Sequence, residues 1–487
     1  MTMKLQRPNV LLVVMDTARS DYVKDKQIMP QIHKFAKEGT WFTNTFTNAP
    51  WTLPSHSSLF TGKYPSDHGA TAGVKKLDSE TTLMSLLSRE GYHTVSFSNN
   101  PWISPDFGFD DFDEFIPCWQ PFQRGADLAS ISQKEGLGRQ LRALVSELTS
   151  LDTPFTLANA FYMKFIKDSY DSGAALTNFR CKQWLDHHQS SKPFFAFVNY
   201  MEPHLKYDPP RKYRQQFLSK DELNQWNDVN QDPWAYLTGV AEMDEADFEI
   251  LKNLYQAELS YLDARLGQLF DFLRSTGELD STVVIVTGDH GEHLGEHQLM
   301  DHQYSLSDSL LHVPLLIRYP EEVEQGTQDN RLVELRDLFA TILSLAGVNH
   351  NKYCGEQRGT ISQPIDLTKD DASRSAAISE YISPQPAIDT LCTRYSVNRE
   401  VVDEYDRALR TIRTPDRKFV QGSDGSQQIF AITQGKAEET QPLNESHDKF
   451  LAKLDSVIGE FSEVVANASR HEIAGHNKQR LEDLGYL

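Results

Sequence analysis

The strongest constraint on the fold is a set of short apolar runs that alternate along the chain with amphipathic segments. Residues 9–15, 193–200 and 281–287 are mainly apolar and rich in Val, Ile and Phe. Runs of this length that are apolar on both faces are typical of strands in a parallel sheet, which helices cover on both sides. A helical pattern at 243–278 and a further strand pattern at 311–319 continue the alternation. The chain is therefore predicted to be α/β, with a mostly parallel central sheet flanked by helices.

The pattern changes after about residue 370, where a smaller C-terminal α+β subdomain is expected. Residues 407–432 resemble a hairpin around a Gly-Ser-Asp-Gly turn, and a charged helical tail ends the chain. The predicted domains are a catalytic domain at 1–385 and a C-terminal subdomain at 386–487. Residues 332–346 are predicted to be helical. The stretch after Gly39 is predicted to be a loop that leads to a short helix from Pro54 to Thr61.

The charge balance argues against two classes of partner. The 487-residue chain has 48 Lys and Arg against 69 Asp and Glu, a net charge of −21. Nucleic acids and anionic membranes both require a basic face, so neither is expected as a partner.

No run of about 18 apolar residues is present, so no membrane span is predicted. The N-terminal run lacks a small-residue cleavage site, and a soluble cytoplasmic protein is the expectation.

Three of the predicted strands end in polar residues that carry catalytic chemistry. Asp16 follows the first strand, His204 lies just after the second, and Asp289 and His290 follow the third. In open α/β sheets, ligands bind at the carboxyl ends of the strands, so these side chains are expected to converge. Asp289 and His290 can hold one divalent cation with Asp16 as a third ligand. Mixed Asp and His ligation suits Zn²⁺ or Mn²⁺, whereas a carboxylate-rich shell suits Ca²⁺ or Mg²⁺. A capping Asp with a surface His is the alternative for this pair.

Thr52 lies just ahead of a predicted helix and is the candidate nucleophile. Helix N-termini attract anions through their free N–H groups, and a hydroxyl beside a metal can ionise and attack phosphorus or sulfur. His56 and Lys63 are candidates to bind the ester oxyanion or to donate a proton. The alternative is that Thr52 serves only as the N-cap of the helix.

Taken together, these motifs resemble the sulfatase branch of the alkaline phosphatase superfamily. That branch has C/S-x-P-x-R before a helix that ends in T-G-R-x-P, and the chain has T-L-P-S-H at 52–56 and T-G-K-Y-P at 61–65. Its G-D-H-G-E…G-E-H signature matches residues 288–297, and Pro203-His204 matches its substrate-side histidine. The resemblance covers nearly the whole chain. It implies a sulfatase-like fold, with Asp16 as a metal ligand and His302 lining the site.

The chain departs from the family pattern at four positions. Thr52 replaces the Cys or Ser that sulfatases oxidise to formylglycine, and Thr17 replaces the second Asp of an Asp-Asp pair. Asn99 matches a family lysine, and His56 matches the arginine of the nucleophile motif. A threonine nucleophile with one metal resembles the phosphotransferase branch instead, whose members include lipoteichoic acid synthases and phosphoethanolamine transferases. Threonine cannot become formylglycine. A threonine nucleophile therefore favours phosphate esters over sulfate esters as the substrate, because water can hydrolyse a phosphothreonine intermediate.

The sequence therefore predicts a metal-dependent hydrolase of phosphate mono- or diesters that uses Thr52 as its nucleophile. One divalent cation is expected, and its predicted ligands are Asp16, Thr52, Asp289 and His290. The predicted catalytic residues are Thr52, His56, Lys63, His204 and His302, and the predicted substrate-binding residues are Asn99 and Arg19. The expected substrate is a small-molecule or glycan phosphate or sulfate ester. Three alternatives stay open: a sulfuric ester hydrolase with unmodified Thr52, a head-group transferase, and a non-catalytic glycan-binding protein.

The remaining histidines and the cysteines carry weaker predictions. His297 is expected to be structural, and His293 is left undecided between metal binding and a structural role. The four cysteines are far apart and form no C-x-x-C pair, which favours reduced structural thiols. They are Cys118, Cys181, Cys354 and Cys392.

Overall fold

The computed structural model describes residues 7–118, 153–162, 173–188, 192–353, 363–433, 435–437, 439 and 441–468. Cys354, much of the helical pattern predicted after residue 127 and the tail beyond residue 468 lie outside these ranges. The strands are β1 Asn9–Met15, β2 Thr40–Phe46, β3 His93–Ser98, β4 Glu114–Pro117, β5 Phe194–Tyr200, β6 Thr282–Gly288, β7 His293–Leu294, β8 Met300–Asp301, β9 His312–Arg318, β10 Thr327–Glu334, β11 Ala377–Tyr381, β12 Leu409–Arg413, β13 Arg417–Gly422, β14 Gln427–Thr433 and β15 Lys436–Ala437.

The α-helices of the described residues surround these strands. They are α1 Ser20–Val23, α2 Pro30–Phe35, α3 Thr52–Thr61, α4 Pro65–His68, α5 Leu83–Arg89, α6 Thr153–Tyr162, α7 Ala174–His187, α8 Arg211–Phe217, α9 Glu222–Gln225, α10 Pro233–Leu237, α11 Glu245–Thr276, α12 Asp308–Leu311, α13 Asp337–Leu345, α14 Ile388–Tyr395, α15 Asp448–Ile458 and α16 Phe461–Ala468. None of them combines the length and the apolar character that crossing a membrane requires.

The central sheet has eight strands in the order β10-β2-β9-β6-β1-β5-β3-β4. Every neighbouring pair is parallel except those made by β9, which runs antiparallel to both β2 and β6. The predicted α/β class with a mostly parallel sheet is confirmed. The sheet brings the carboxyl ends of β1, β3, β5 and β6 to one edge, where the predicted site residues follow.

Alternate residues of β1 divide the core into two layers. Val10, Leu12 and Val14 face a cluster that includes α3 and α13, whereas the intervening side chains face the layer that contains α11. Helix α11 begins at a capping box formed by Asp244 and Asp247, in which each side chain accepts from the other residue's backbone N–H. Because both faces of the sheet are covered, its strands are apolar throughout, and this explains why their pattern was readable in the sequence.

The C-terminal part of the chain forms a second, antiparallel sheet in the order β11-β12-β13-β14-β15. The predicted hairpin is its β13–β14 pair, joined through the Gly-Ser-Asp-Gly turn, and β12 pairs with the other edge of β13. Helix α15 packs on this sheet through Phe450 and Leu454. Strand β11 precedes residue 385, so the antiparallel sheet includes residues on both sides of the predicted domain boundary.

Two local predictions were wrong. Residues 40–46, predicted to be part of a loop, form β2, whose threonines and asparagine conceal the apolar pattern of Trp41, Phe42 and Phe46. Residues 332–334, predicted to begin a helix, end β10 instead, and the helix starts at Asp337. Strand β10 lies at the edge of the sheet and is largely polar, so backbone pairing with β2 defines it rather than a hydrophobic period.

Candidate active site

The first group of site residues lies at the ends of two neighbouring strands. Met15 of β1 pairs with Gly288 of β6, so the register places Asp16 beside Asp289. His290 follows directly, with its Nε2 at 3.8 Å from Oδ1 of Asp16 and at 3.3 Å from Oδ2 of Asp289. All three side chains are fully buried. The convergence expected from the strand ends is therefore present. The alternative of a surface His was wrong, since His290 is buried, although Asp289 does accept from the backbone N–H groups of Thr17 and His290.

Each of the two carboxylates has one hydrogen-bonded oxygen and one without a hydrogen-bond partner. Asn100 donates to Oδ2 of Asp16, and the backbone N–H groups of Thr17 and His290 donate to Oδ1 of Asp289. Oδ1 of Asp16 and Oδ2 of Asp289 accept no hydrogen bond from the described residues. Burial raises the pKa of Asp289 to about 7, and burial and the neighbouring charge of Asp289 raise the pKa of Asp16 well above its usual range. Buried anionic oxygens left in this way are suited to a bound cation.

His290 is held as a neutral imidazole. Its Nδ1 donates to the carbonyl of Gly291 at 3.0 Å, so Nε2 carries the lone pair that faces the two carboxylates. Burial lowers the pKa of this imidazole well below its usual value, and the positive charge on His302 acts in the same direction. The donor set of two carboxylate oxygens and one imidazole nitrogen fits a divalent cation, as the sequence predicted.

Thr52 lies in the first turn of α3 and completes this cluster. Its Oγ1 is 3.3 Å from Nε2 of His290 and 3.4 Å from Nδ2 of Asn100. Trp51, in extended conformation, occupies the N-cap position, so the reading of Thr52 as a mere N-cap was wrong. The helix was predicted to begin at Pro54 and begins two residues earlier, which brings the hydroxyl into the helix N-terminus and beside the cation ligands.

His56 lies one turn further along α3 from Thr52. Its Nδ1 donates to the carbonyl of Thr52 at 2.9 Å and lies 3.6 Å from Oδ2 of Asp289. Burial lowers its pKa to about 4, and Nε2 has no hydrogen-bond partner among the described residues. The ring is therefore neutral, with a lone pair on Nε2, and supplies no positive charge. This differs from the oxyanion-binding or proton-donating role predicted for it.

A second buried group, made by His204, Asp301 and His302, adjoins the first. The ring centroid of His302 is 4.5 Å from that of His290 and 5.2 Å from that of His204. His302 is ion-paired with Asp301, and its Nδ1 lies 3.9 Å from a carboxylate oxygen of Glu292. The structure thus brings both predicted histidines to the site. Asp301 and Glu292 were not singled out in the sequence.

The two histidines of this group differ in charge. Burial opposes protonation of His302, but the charge and hydrogen bond of Asp301 outweigh it and raise the pKa of His302 to about 10. Burial and the charge of His302 lower the pKa of His204 to about 4. The group therefore offers one imidazolium beside a neutral imidazole.

The other three predicted site residues differ in where they lie. Lys63 follows Gly62 at the opposite end of α3, roughly 15 Å from Thr52, because an α-helix rises about 1.5 Å per residue. Arg19 is buried, and its guanidinium donates to Asp21, to Glu296 and to the carbonyl of Glu292, so it positions the loop after β6 instead of binding substrate. Asn99 contacts the backbone at Gly173, where an added Cβ would come within 2.3 Å of its Nδ2.

Asn100, which was not predicted as a site residue, contacts the cluster through Asp16 and Thr52. Asn99 and Asn100 both follow β3 directly, and the sequence offers no signal that distinguishes them. Of the two other histidines in the loop after β6, His297 pairs with Glu439 at 3.1 Å, in line with its predicted structural role. His293, left undecided in the sequence, lies within hydrogen-bond distance of Ser307 and Ser309.

The chain is similar to members of one enzyme family and to several solved structures. A family model described as Sulfatase matches residues 8–348. Arylsulfatase K from Bos taurus is 26% identical over 368 residues, which cover 70% of this chain and 63% of the bovine protein, less than two thirds of its length. Phosphonate monoester hydrolase from Silicibacter pomeroyi has a TM-score of 0.62 at 18% identity, with 96% of each chain covered. A protein in complex with its substrate D-glucosamine-2-N,6-O-disulfate has a TM-score of 0.59 at 18% identity, covering 95% of this chain and 98% of that one. The two solved structures share the fold.

Proposed function

The chain belongs to the sulfatase family, and from this membership we propose that it is a metal-dependent hydrolase of phosphate esters with Thr52 as its nucleophile. The observation that carries the proposal is the position of the Thr52 hydroxyl. It lies in the first turn of α3, 3.3 Å from Nε2 of His290 and beside two buried carboxylates that each have one oxygen with no hydrogen-bond partner in the described part of the chain.

One divalent cation would be held by Oδ1 of Asp16, Oδ2 of Asp289, Nε2 of His290 and Oγ1 of Thr52. The mixture of carboxylate and imidazole favours Mn²⁺ or Zn²⁺ over Ca²⁺ or Mg²⁺. When bound, such an ion lowers the pKa of a coordinated hydroxyl and stabilises negative charge on an ester oxygen. It would also compensate the two carboxylates: burial raises the pKa of both, and the charge of Asp289 raises the pKa of Asp16 further.

The residues of the site support a two-step displacement. In the first step the oxygen of Thr52, whose proton has left to solvent, forms a bond to phosphorus as the bond from phosphorus to the leaving oxygen breaks. The imidazolium of His302 gives its proton to that leaving oxygen, and Asp301 orients the ring. In the second step water attacks phosphorus and gives a proton to His302, which the first step left neutral; the bond from phosphorus to the Thr52 oxygen breaks, that oxygen keeps the electron pair, and phosphate leaves. The N–H groups at the start of α3 favour the negative charge of the transferred group.

The chemistry of threonine favours phosphate over sulfate. The carbon that bears the Thr52 hydroxyl also bears a methyl group, so oxidation there gives a ketone and not the aldehyde of formylglycine. Without that route, release of the bound group depends on attack by water, which a phosphothreonine permits. The likeness to a phosphonate monoester hydrolase over nearly the whole chain supports this preference.

The second candidate is a sulfuric ester hydrolase that uses unmodified Thr52 and needs no cofactor other than the cation. The relative named arylsulfatase K and the structural neighbour whose substrate is a sulfated glucosamine both favour it. The second of these also favours a sugar as the molecule that carries the ester. Transfer of the group to a sugar instead of water, and binding of a glycan without turnover, are the further alternatives that the same test separates.

A comparison of three substrates tests the proposal. The full chain, reconstituted in turn with Mn²⁺, Zn²⁺, Ca²⁺ and Mg²⁺, is assayed for kcat/KM on p-nitrophenyl phosphate, bis-p-nitrophenyl phosphate and p-nitrophenyl sulfate. Thr52→Ala is the test variant and Thr61→Ala, at the other end of the same helix, is the matched control. We expect a phosphate preference that Thr52→Ala lowers by about 10³-fold or more. A sulfate preference would replace the substrate class, and full activity in Thr52→Ala would refute the nucleophile.

A further inference from the structure

A cleft of about 800 Å³ lies between α2 and the edge of the central sheet, away from the candidate active site. On the sheet side it is lined by Trp41 and Thr43 of β2 and by Gln328 of β10, which pairs with Trp41. Strand β2 runs parallel to β1, with β9 and β6 between them, so the amino end of β2 lies at the edge of the sheet opposite to Asp16. The cleft and the proposed hydrolase site are therefore separate places in the fold.

Four exposed lysines line this cleft, and no carboxylate of the described residues is among its lining groups. The lysines belong to the segment between α1 and β2, and they are Lys24, Lys26, Lys34 and Lys37. The last three of these form no ion pair with any described residue, and the neighbouring Glu38 pairs instead with Arg274 and Arg318. A chain with a net charge of −21 thus carries a concentrated positive patch here. Such a patch attracts anions, most strongly at low ionic strength.

The inner wall of this lysine cleft supplies a hydrogen-bond donor as well as charge. The ring of His33 is stacked on Trp41, with ring centroids 5.1 Å apart, and its Nε2 lies 3.2 Å from the carbonyl of Val23. Burial lowers the pKa of His33, and the positive charge of Lys26 acts in the same direction. The buried indole Nε1 of Trp41 has no hydrogen-bond partner in the described part of the chain. Positive charge beside a donor that lacks an acceptor suits a ligand rich in oxygen atoms.

The size and the surface of the lysine cleft favour a saccharide among anionic ligands. Its volume falls within the range of about 300–1,000 Å³ that is typical of pockets for small molecules. A nucleic-acid base needs an exposed aromatic face for stacking, but Trp41 is only 6% exposed and the ring of His33 covers one of its faces. A membrane needs large exposed apolar side chains, and the described residues that line the cleft include none. The side chains of Thr43 and Gln328 offer partners for sugar hydroxyl groups.

We propose that the lysine cleft binds an anionic saccharide through its sulfate or phosphate groups, at a site separate from Thr52. The lysines contact the anionic groups, and the hydroxyl of Thr43 and the amide of Gln328 contact the sugar. Binding here requires neither a cation nor a reaction at Thr52. The inference therefore goes beyond the proposed function, and the two can be tested apart.

Binding of sucrose octasulfate, a small polysulfated saccharide, tests the lysine cleft directly. Titration calorimetry of the metal-loaded full chain at low ionic strength compares the wild type with a double variant, Lys34→Glu with Lys37→Glu. The matched control is Lys212→Glu with Lys220→Glu, which makes the same change of net charge at exposed positions outside the cleft. We expect Kd to rise about 10-fold or more in the cleft variant, because two attractive contacts become repulsive, and less than about 2-fold in the control. Equal affinities in the two double variants would overturn the proposal.

Three further probes test the class of ligand. Sucrose, inorganic phosphate and a single-stranded oligonucleotide should each bind the wild type more weakly than sucrose octasulfate. Phosphate binding as tight as that of the sulfated saccharide would show attraction of simple anions and overturn the saccharide assignment. Tighter binding of the oligonucleotide would overturn it in favour of nucleic acid.

Hydrogen exchange followed by mass spectrometry tests the place of binding. Sucrose octasulfate should protect peptides within residues 24–37, and Thr52→Ala should bind it as tightly as the wild type does. Protection confined to peptides around Thr52 would place the saccharide in the active site and overturn the second site. Turnover of p-nitrophenyl phosphate should be unchanged in Lys34→Glu with Lys37→Glu. Failed binding with Thr52-dependent turnover would refute the cleft alone, whereas intact binding with fully active Thr52→Ala would refute the proposed function alone.

Discussion

The side-chain amide of Asn100 joins Asp16 to Thr52, since its Nδ2 lies 2.5 Å from Oδ2 of Asp16 and 3.4 Å from Oγ1 of Thr52. Because an amide hydrogen satisfies one carboxylate oxygen, the other oxygen of Asp16 is left to face His290 at 3.8 Å. Asn100 thus orients the carboxylate that would hold the cation. Such supporting contacts are often as necessary as the ligands themselves.

Replacing Asn100 by alanine should therefore weaken both cation binding and turnover. We expect Asn100→Ala to lower metal affinity and kcat/KM by about 10- to 100-fold, because Asp16 loses its orienting donor. Asn99→Ala is the matched control, since Asn99 precedes Asn100 and packs at Gly173. A larger loss in Asn99→Ala than in Asn100→Ala would restore the assignment that the sequence suggested.

Removal of the cation should destabilise the chain as well as inactivate it. The buried carboxylates of Asp16 and Asp289 repel each other without a counter-charge. We expect a chelator to lower Tm, and Mn²⁺ or Zn²⁺ at about 100 times its Kd to restore about 2.7 kcal/mol. Asp289→Asn should lose most of this ion-dependent shift in a thermal scan. An identical shift in wild type and Asp289→Asn would show that the ion binds elsewhere.

Glu380 provides a test of pH dependence away from the active site. This buried residue of β11 accepts from the backbone N–H and the hydroxyl of Ser66. Burial raises its pKa to about 7 from an ordinary value of 4.5, although the Ser66 hydrogen bonds oppose the shift. Between these values the folded chain holds a proton that the unfolded chain has released. Stability from this group is therefore full below about pH 4.5 and is lost as pH rises to about 7.

The variant Glu380→Gln should remove that dependence, since its amide oxygen still accepts from Ser66 but does not titrate. We expect the free energy of unfolding of the wild type to fall by up to about 3 kcal/mol relative to Glu380→Gln between pH 4.5 and 7.5. Urea denaturation at several pH values measures the difference. Parallel pH profiles for the two proteins would contradict the shifted pKa.

A buried ion-pair network around Glu334 should be the most sensitive point of the fold. Glu334 pairs with Arg336 and Arg374 at 2.7 Å each and accepts from the backbone N–H of Ile378 at 2.7 Å. We expect Glu334→Ala to cost about 3–5 kcal/mol in urea denaturation, because it leaves two buried guanidinium groups without this partner. Glu321→Ala, at an exposed position, is the control and should change stability little. A loss below about 1 kcal/mol in Glu334→Ala would contradict the role of the network.

Much of the site could be predicted because it lies at the ends of buried strands. The runs that precede Asp16, Asp289 and His204 are apolar on both faces, so both the strands and the edge where they end were readable in the sequence. Strand β2 was not readable, since its threonines obscure its period and its burial depends on pairing with β9.

Position within a loop and distance along a helix could not be predicted in the same way. Lys63 was assigned from a motif, yet the length of α3 separates it from Thr52. Asn99 and Asn100 are the same residue type at the end of one strand, and only the path of the chain after β3 decides which meets Asp16. Asp301 lies in a two-residue strand with no sequence period, so its buried position beside His204 becomes visible only in three dimensions.

The central claim is that Thr52 becomes covalently bonded to phosphorus during turnover. The most direct measurement is acid quenching of the metal-loaded chain during steady-state hydrolysis of p-nitrophenyl phosphate, followed by peptide mass spectrometry. The account predicts a phosphoryl group on Thr52 in the wild type and none in Thr52→Ala, with Thr61→Ala labelled as the wild type. Sustained turnover with no labelled peptide, or a label on a neighbouring residue such as Ser55, would contradict it.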